Sequence, residues 1–161
     1  MRVNREKHHL LVLPEDDATR SIAIGFMKCV INQRAMQILP ITDGWKKALD
    51  EFTNYQVAKM RDFPKRFMIL LIDFDTREDR MPYIVKRIPE DLRERVFILG
   101  VWSEPEQLKK NLGQSFEKIG EFLAQACIND DDELWQHELL KHNLKEIERM
   151  KPSVKPLLFS P

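Results

Sequence analysis

Apolar residues run along this chain in two alternating patterns: short continuous blocks, and longer segments in which they recur every three or four positions. HLLVLP is short, rich in branched residues and closed by Pro14, which is the pattern of a buried strand. Asp16 or Asp17 can cap the helix that follows, in which Ile22, Phe26, Cys29 and Val30 repeat at helical spacing. AMQILPIT predicts a second short strand ending near Pro40. Asp43 and Gly44 open a second helix, with Trp45, Ala48, Leu49, Phe52 and Gln56 on one face, and Phe63-Pro64 stops it.

FMILLID is an almost unbroken apolar run, as expected where helices cover both faces of a parallel sheet. A short helix from Pro82 to about Ile88 and a fourth strand, VFILGVW, come next. Beyond Trp102 the pattern is helical, with a break near Gly113. The acidic NDDDE segment then leads to a last helical pair around LWQHELLKHNLKEIERM. KPSVKPLLFSP, with three spaced prolines, reads as an extended tail. Strands alternating with helices imply right-handed crossovers and an α/β fold: an open, mainly parallel four-stranded Rossmann-like sheet flanked by helices, with a helical C-terminal extension. Residues 1–128 form the α/β domain, and 129–161 are an extension packed on it.

Composition narrows the function classes. The 26 basic and 26 acidic side chains cancel, so no global positive field draws the protein onto nucleic acid, and any such contact is local. Cys29 and Cys127 sit in apolar helical patterns and read as buried free thiols of a reducing compartment. No apolar run is long enough to span a membrane, and MRVNREKHH is too polar for a signal peptide. The expectation is a soluble, cytoplasmic protein with no membrane partner. With only five glycines there is no phosphate-binding loop or dinucleotide fingerprint, and no serine sits on a strand-to-helix elbow.

Ligands of open parallel sheets collect at the carboxyl ends of the strands. Three acidic groups fall there: Glu15, Asp16 and Asp17 after the first strand, Asp73 and Asp75 after the third, Glu104 and Glu106 after the fourth. Alternation along an extended chain puts Asp73 and Asp75 on one side, with Phe74 opposite. Like charges so placed repel unless a cation or a proton lies between them. Hard oxygen ligands of this kind suit Mg2+ or Mn2+. Each acid taken singly also has an ordinary reading: Asp17 and Asp43 as helix caps, Glu15 as a first-turn acid, Glu78 and Asp79 as solvated loop charge.

The stretches LLVLPEDDA and LLIDFDTREDR resemble the TOPRIM family, over roughly residues 8–112. In that family a first strand ends in Glu-Gly, an acid follows three residues after the glycine, and a later strand ends in Asp-x-Asp. The small stand-alone TOPRIM-like proteins and the TOPRIM half of overcoming-lysogenization-defect nucleases are the nearest in pattern. The resemblance implies a TOPRIM-like fold and magnesium-dependent phosphodiester chemistry, often beside an ATPase partner subunit and often in phage defence. It assigns Asp73, Asp75 and Asp17 to the metal. Aligning Asp17 in this way puts Leu13 where the family has its glutamate and Pro14 where it has glycine, so the catalytic acid or base falls to Glu15. Glu104 stands where some relatives carry a further acid.

Arg77 and Arg80 either clamp a substrate phosphate or neutralise Glu78 and Asp79. His8 and His9 precede the first strand and lie at the opposite edge. His137 and His142 are expected at the surface, without a zinc-binding pattern. The leading expectation is a metal-dependent nuclease or phosphoryl-transfer domain, and the alternative is a catalytically silent TOPRIM-fold module that binds a protein.

Overall fold

The computed structural model describes residues 2–161. Strands β1 (His9–Pro14), β2 (Met36–Ile38), β3 (Arg66–Leu71) and β4 (Val96–Leu99) form one parallel sheet in the order β2-β1-β3-β4. β1 and β3 are the two central strands, in register from His9 opposite Arg66 to Pro14 opposite Leu71. From β1 the chain moves outward to β2, then crosses back to place β3 on the other side of β1. The switch point of the sheet is therefore the crevice between the carboxyl ends of β1 and β3.

Two-residue alternation sends β-strand side chains into two cores. On one face Leu10, Val12, Ile69, Phe97 and Leu99 pack against α1 (Asp17–Lys28), α5 (Pro105–Leu112) and α6 (Phe116–Ile128). On the other, Leu11, Leu13, Met68, Leu70 and Ile98 meet α2 (Trp45–Glu51), α3 (Val57–Asp62) and α4 (Arg80–Val85). A π turn over Phe52–Gln56 joins α2 to α3, so the second helix runs nearly to Phe63-Pro64 as its apolar face predicts. Gly113, at φ 64°, ends α5 where the sequence places a break. α1 and α6 cross in backbone contact, because a Cβ on Gly25 would lie 1.8 Å from the Glu117 carbonyl oxygen and one on Gly120 1.9 Å from that of Ile22.

Residues after 128 build on the first core. Trp135, Leu140, Ile147, Val154 and Leu158 join Leu10 and Val12 in one cluster. The last helical pair is shorter than its pattern suggests, with 3-10 turns over Leu134–Gln136 and Lys141–Asn143 preceding α7 (Leu144–Met150). The expected extended tail is instead α8 (Val154–Phe159). Pro156 falls in its first turn, where an N–H has no helical partner to lose, and burial of Val154 and Leu158 to 2 % exposure outweighs the tail's weak helical propensity. His142 is also not a surface residue. Its ring packs 4.8 Å from Phe74 and 5.3 Å from Trp102, and burial pushes its pKa down to about 4. Among the described residues no helix is long and apolar enough to cross a membrane.

Candidate functional site

Glu15 and Asp73 are the first polar side chains beyond the carboxyl ends of the two central strands. The backbone fixes both. The Glu15 N–H donates to the Leu71 carbonyl (3.0 Å), and the Glu15 carbonyl accepts from Gly44 N–H (3.1 Å) at the entry to α2. On β3, the N–H groups of Ile72 and Phe74 donate to the carbonyls of Leu99 and Val101, at 2.9 and 3.0 Å, so Asp73 stays extended and Phe74 enters the opposite core. That alternation turns the Asp73 carboxylate toward β1 and the start of α1. Asp16 caps α1 by accepting from Thr19 N–H and Thr19 Oγ1, both at 2.9 Å, while its own N–H donates to Thr19 Oγ1 at 3.2 Å.

Glu15, Asp16 and Asp73 each bring one carboxylate oxygen to within 4.8 Å of the others. Glu15 is 7 % and Asp73 5 % exposed, yet Glu15 Oε2 and Asp73 Oδ1 accept from no donor among the described residues other than a proton shared between the two carboxyls. Unpartnered buried carboxylates are costly, so they must take up a proton or meet a cation. Burial pushes the pKa of Asp73 up strongly, and the adjacent Glu15, Asp16 and Asp75 charges add to it. Burial likewise raises Glu15, helped by the Asp16 and Asp75 charges and opposed by a hydrogen bond from Asp73. The pair therefore binds a proton at neutral pH when no cation is present. Two orphaned oxygens on a donor set made only of carboxylates fit a hard divalent ion such as Mg2+ or Mn2+.

The remaining expected site residues separate into distinct places. Leu13 is 1 % exposed within the core, Pro14 is still paired in the strand opposite Leu71 with no turn there, and it is Glu15, at the bend after the strand, that stands beside Asp73. Asp75 does not share the cluster. Asp75 and Thr76 take left-handed conformations, φ 48° and 57°, so strand alternation ends at Phe74, and the exposed Asp75 carboxylate pairs with Arg80 Nη1 at 2.7 Å. Asp17 is exposed in the first turn of α1, and the neighbouring Asp16 occupies the place near the carboxylate pair. Glu104 is exposed at the start of α5.

Arg77 is exposed and forks onto Asp79, with both bonds at 3.1 Å. Arg80, 7 % exposed, donates from Nη1 to the Asp73 carbonyl as well as to Asp75, and its guanidinium lies 4.3 Å from the Trp45 ring centre. The sequence reading missed Asp16 as a cluster member and Trp45 as the support for Arg80. A cap acid directly after Glu15 was a visible signal for the first; nothing in the spacing marks the second.

His8 and His9 lie at the opposite edge, where His9 Nε2 accepts from Arg66 Nε at 3.0 Å. Cys29 and Cys127 are free and half-buried, and burial pushes the Cys127 thiol up to about 11. No protein-family model matches the chain, and neither the curated proteins nor the solved structures compared with it give a match.

Proposed function

We propose that this protein is a TOPRIM-like, divalent-metal-dependent phosphoryl-transfer protein that hydrolyses phosphodiester bonds. The observation that carries the reading is the pair of buried, unpartnered oxygens on Glu15 and Asp73 at the switch point of a parallel sheet. The resemblance of LLVLPEDDA and LLIDFDTREDR to TOPRIM motifs supports it, with Glu15 rather than Leu13 carrying the first acid.

Asp73 and Asp16 would hold Mg2+ or Mn2+ together with Glu15. Such an ion, when bound, neutralises charge on a phosphate oxygen and acidifies a bound water. Glu15 can commit one carboxylate oxygen to the ion and use the other to take or give a proton at the reacting oxygen. Asp16 is fixed by its cap bonds to Thr19, so the start of α1 cannot drift from the strand end. Arg80 holds the Asp73 carbonyl and the Asp75 carboxylate together, which sets the loop geometry from which Asp73 projects.

The test pairs thermal melts with cleavage assays. Mg2+ or Mn2+ raises the melting temperature of the wild type in proportion to occupancy. Glu15→Gln loses most of that shift and all metal-dependent cleavage of single- or double-stranded substrates, while the melting temperature without metal holds or rises. A metal-induced shift without cleavage under either ion would leave a silent metal-binding module. The absence of any shift would remove the metal site.

A further inference from the structure

Where α2 meets α4 lies a surface pocket of about 200 Å3 lined by Trp45, Lys46, Arg77, Asp79, Arg80 and Tyr83. Its two rings meet edge to face, 5.6 Å between centroids. Cations flank both rings: Arg80 lies 4.3 Å and Lys46 5.6 Å from the Trp45 centre, and Arg87 lies 3.4 Å from that of Tyr83. The wall formed by Arg80 is unusual because this nine-tenths-buried guanidinium uses Nη1 alone; Nε and Nη2 have no acceptor among the described residues. A planar cation held rigidly with open N–H groups matches the oxygens of a phosphate. Asp79, the sole carboxylate of the lining, is tied to Arg77 in an exposed pair of the kind that exchanges partners at little cost.

We infer that this pocket seats one nucleotide unit, with its base against the Tyr83–Trp45 ring pair and its phosphate on Arg80, Arg77 and Lys46. Tyr83 is 39 % exposed, and the Arg87 guanidinium that lies over its ring is itself an exposed side chain, so a base can take its place against the ring, and a π-face serves any base. Arg80 gives the seat its direction. The Nη1 that holds the Asp73 carbonyl belongs to the same guanidinium as the open N–H groups, so a phosphate drawn to Arg80 lies against the backbone of Asp73, whose carboxylate turns to the α1 side. This assignment rests on the phosphoryl-transfer reading for its purpose, though its binding chemistry needs no metal.

The experiment is therefore done in EDTA. Adenosine 5′-monophosphate, a labelled oligothymidylate of about ten nucleotides, within the usual span of single-strand sites, and a duplex of equal length are titrated by calorimetry and fluorescence anisotropy. Binding of the oligonucleotide alone assigns the seat to a nucleic-acid strand, and equal binding of the mononucleotide assigns it to free nucleotides. In either case Tyr83→Ala weakens binding about tenfold, the loss of one stacked base, and Lys46→Ala weakens it and lowers its salt dependence through the lost phosphate contact, while Lys110→Ala on the remote α5 does neither. Both test positions are exposed, and unchanged melting temperatures confirm that the variants fold. The assignment is overturned if no nucleotide binds, if the two pocket variants bind like the wild type, or if duplex is preferred over single strand. Because metal is absent throughout, these outcomes are independent of whether Mg2+ shifts the melting temperature.

Discussion

Glu15 and Asp73 occupy surroundings that disfavour the charge each would carry in water, and a measurable pH dependence follows. Both native pKa values are raised above those of the unfolded chain, chiefly by burial. Between the unfolded carboxyl value of about 4 and the raised native values, the native state binds more protons than the unfolded one. The stabilisation from this pair is thus complete at acid pH and declines as pH rises, by up to about 1.4 kcal/mol per pH unit for each proton. Urea unfolding of the metal-free protein from pH 5 to 9 reads this slope, and Asp73→Asn should flatten it and be the more stable form at the alkaline end. A wild-type slope equal to that of Asp73→Asn would mean that the pair is ionised and solvated. At this scale the sequence made Asp73 legible, because an acid ending the most apolar run has no ordinary structural use. It could not show Asp75 leaving the cluster, since that depends on two left-handed residues in a loop without glycine.

At the scale of elements, the outer edge of β4 is finished by side chains instead of a fifth strand. Asn143 Oδ1 accepts from Gly100 N–H at 3.1 Å, its Nδ2 donates to the Gly100 carbonyl at 2.9 Å, and Glu146 Oε1 accepts from Ile98 N–H at 3.1 Å. Gly100 is required there, because a Cβ would fall 1.4 Å from the carbonyl oxygen of Ile72, the residue before Asp73. Asn143→Ala strips two buried partners from Gly100 and should cost about 2 to 4 kcal/mol in denaturant unfolding. It should also weaken the metal-induced melting shift, because the Gly100 contact backs the chain that presents Asp73; full stability in Asn143→Ala would show water replacing the amide. The strands were readable from their apolar runs, and so was the break at Gly113. This edge was not, because its bonds join residues 43 and 48 positions apart whose polarity reads locally as surface. His142 was misread for the same reason: its polar neighbours along the chain conceal the Phe74 and Trp102 rings that enclose it.

Across the whole molecule, stability and chemistry draw on opposite ends of α1. Its N-cap, Asp16, stands beside the carboxylate pair, whereas the N–H groups of Ile31 and Asn32, just past its last turn, both donate to the Leu158 carbonyl at 3.1 Å. The helix has 12 residues, so the two ends lie about 18 Å apart. Perturbations at that separation, without shared partners, usually add. Leu158 is 2 % exposed in the core that α6, α7 and α8 complete against the sheet, so Leu158→Ala should destabilise the protein by about 2 to 5 kcal/mol. Its metal-induced rise in melting temperature should nonetheless match that of the wild type, because RT ln(1 + [L]/Kd) depends on the carboxylates and not on the basal stability. Glu15→Gln should show the reverse pattern, and the double variant the sum of both. If Leu158→Ala abolished the metal response, the C-terminal helices would be part of the site's support, and α1 would act as a rigid lever between them.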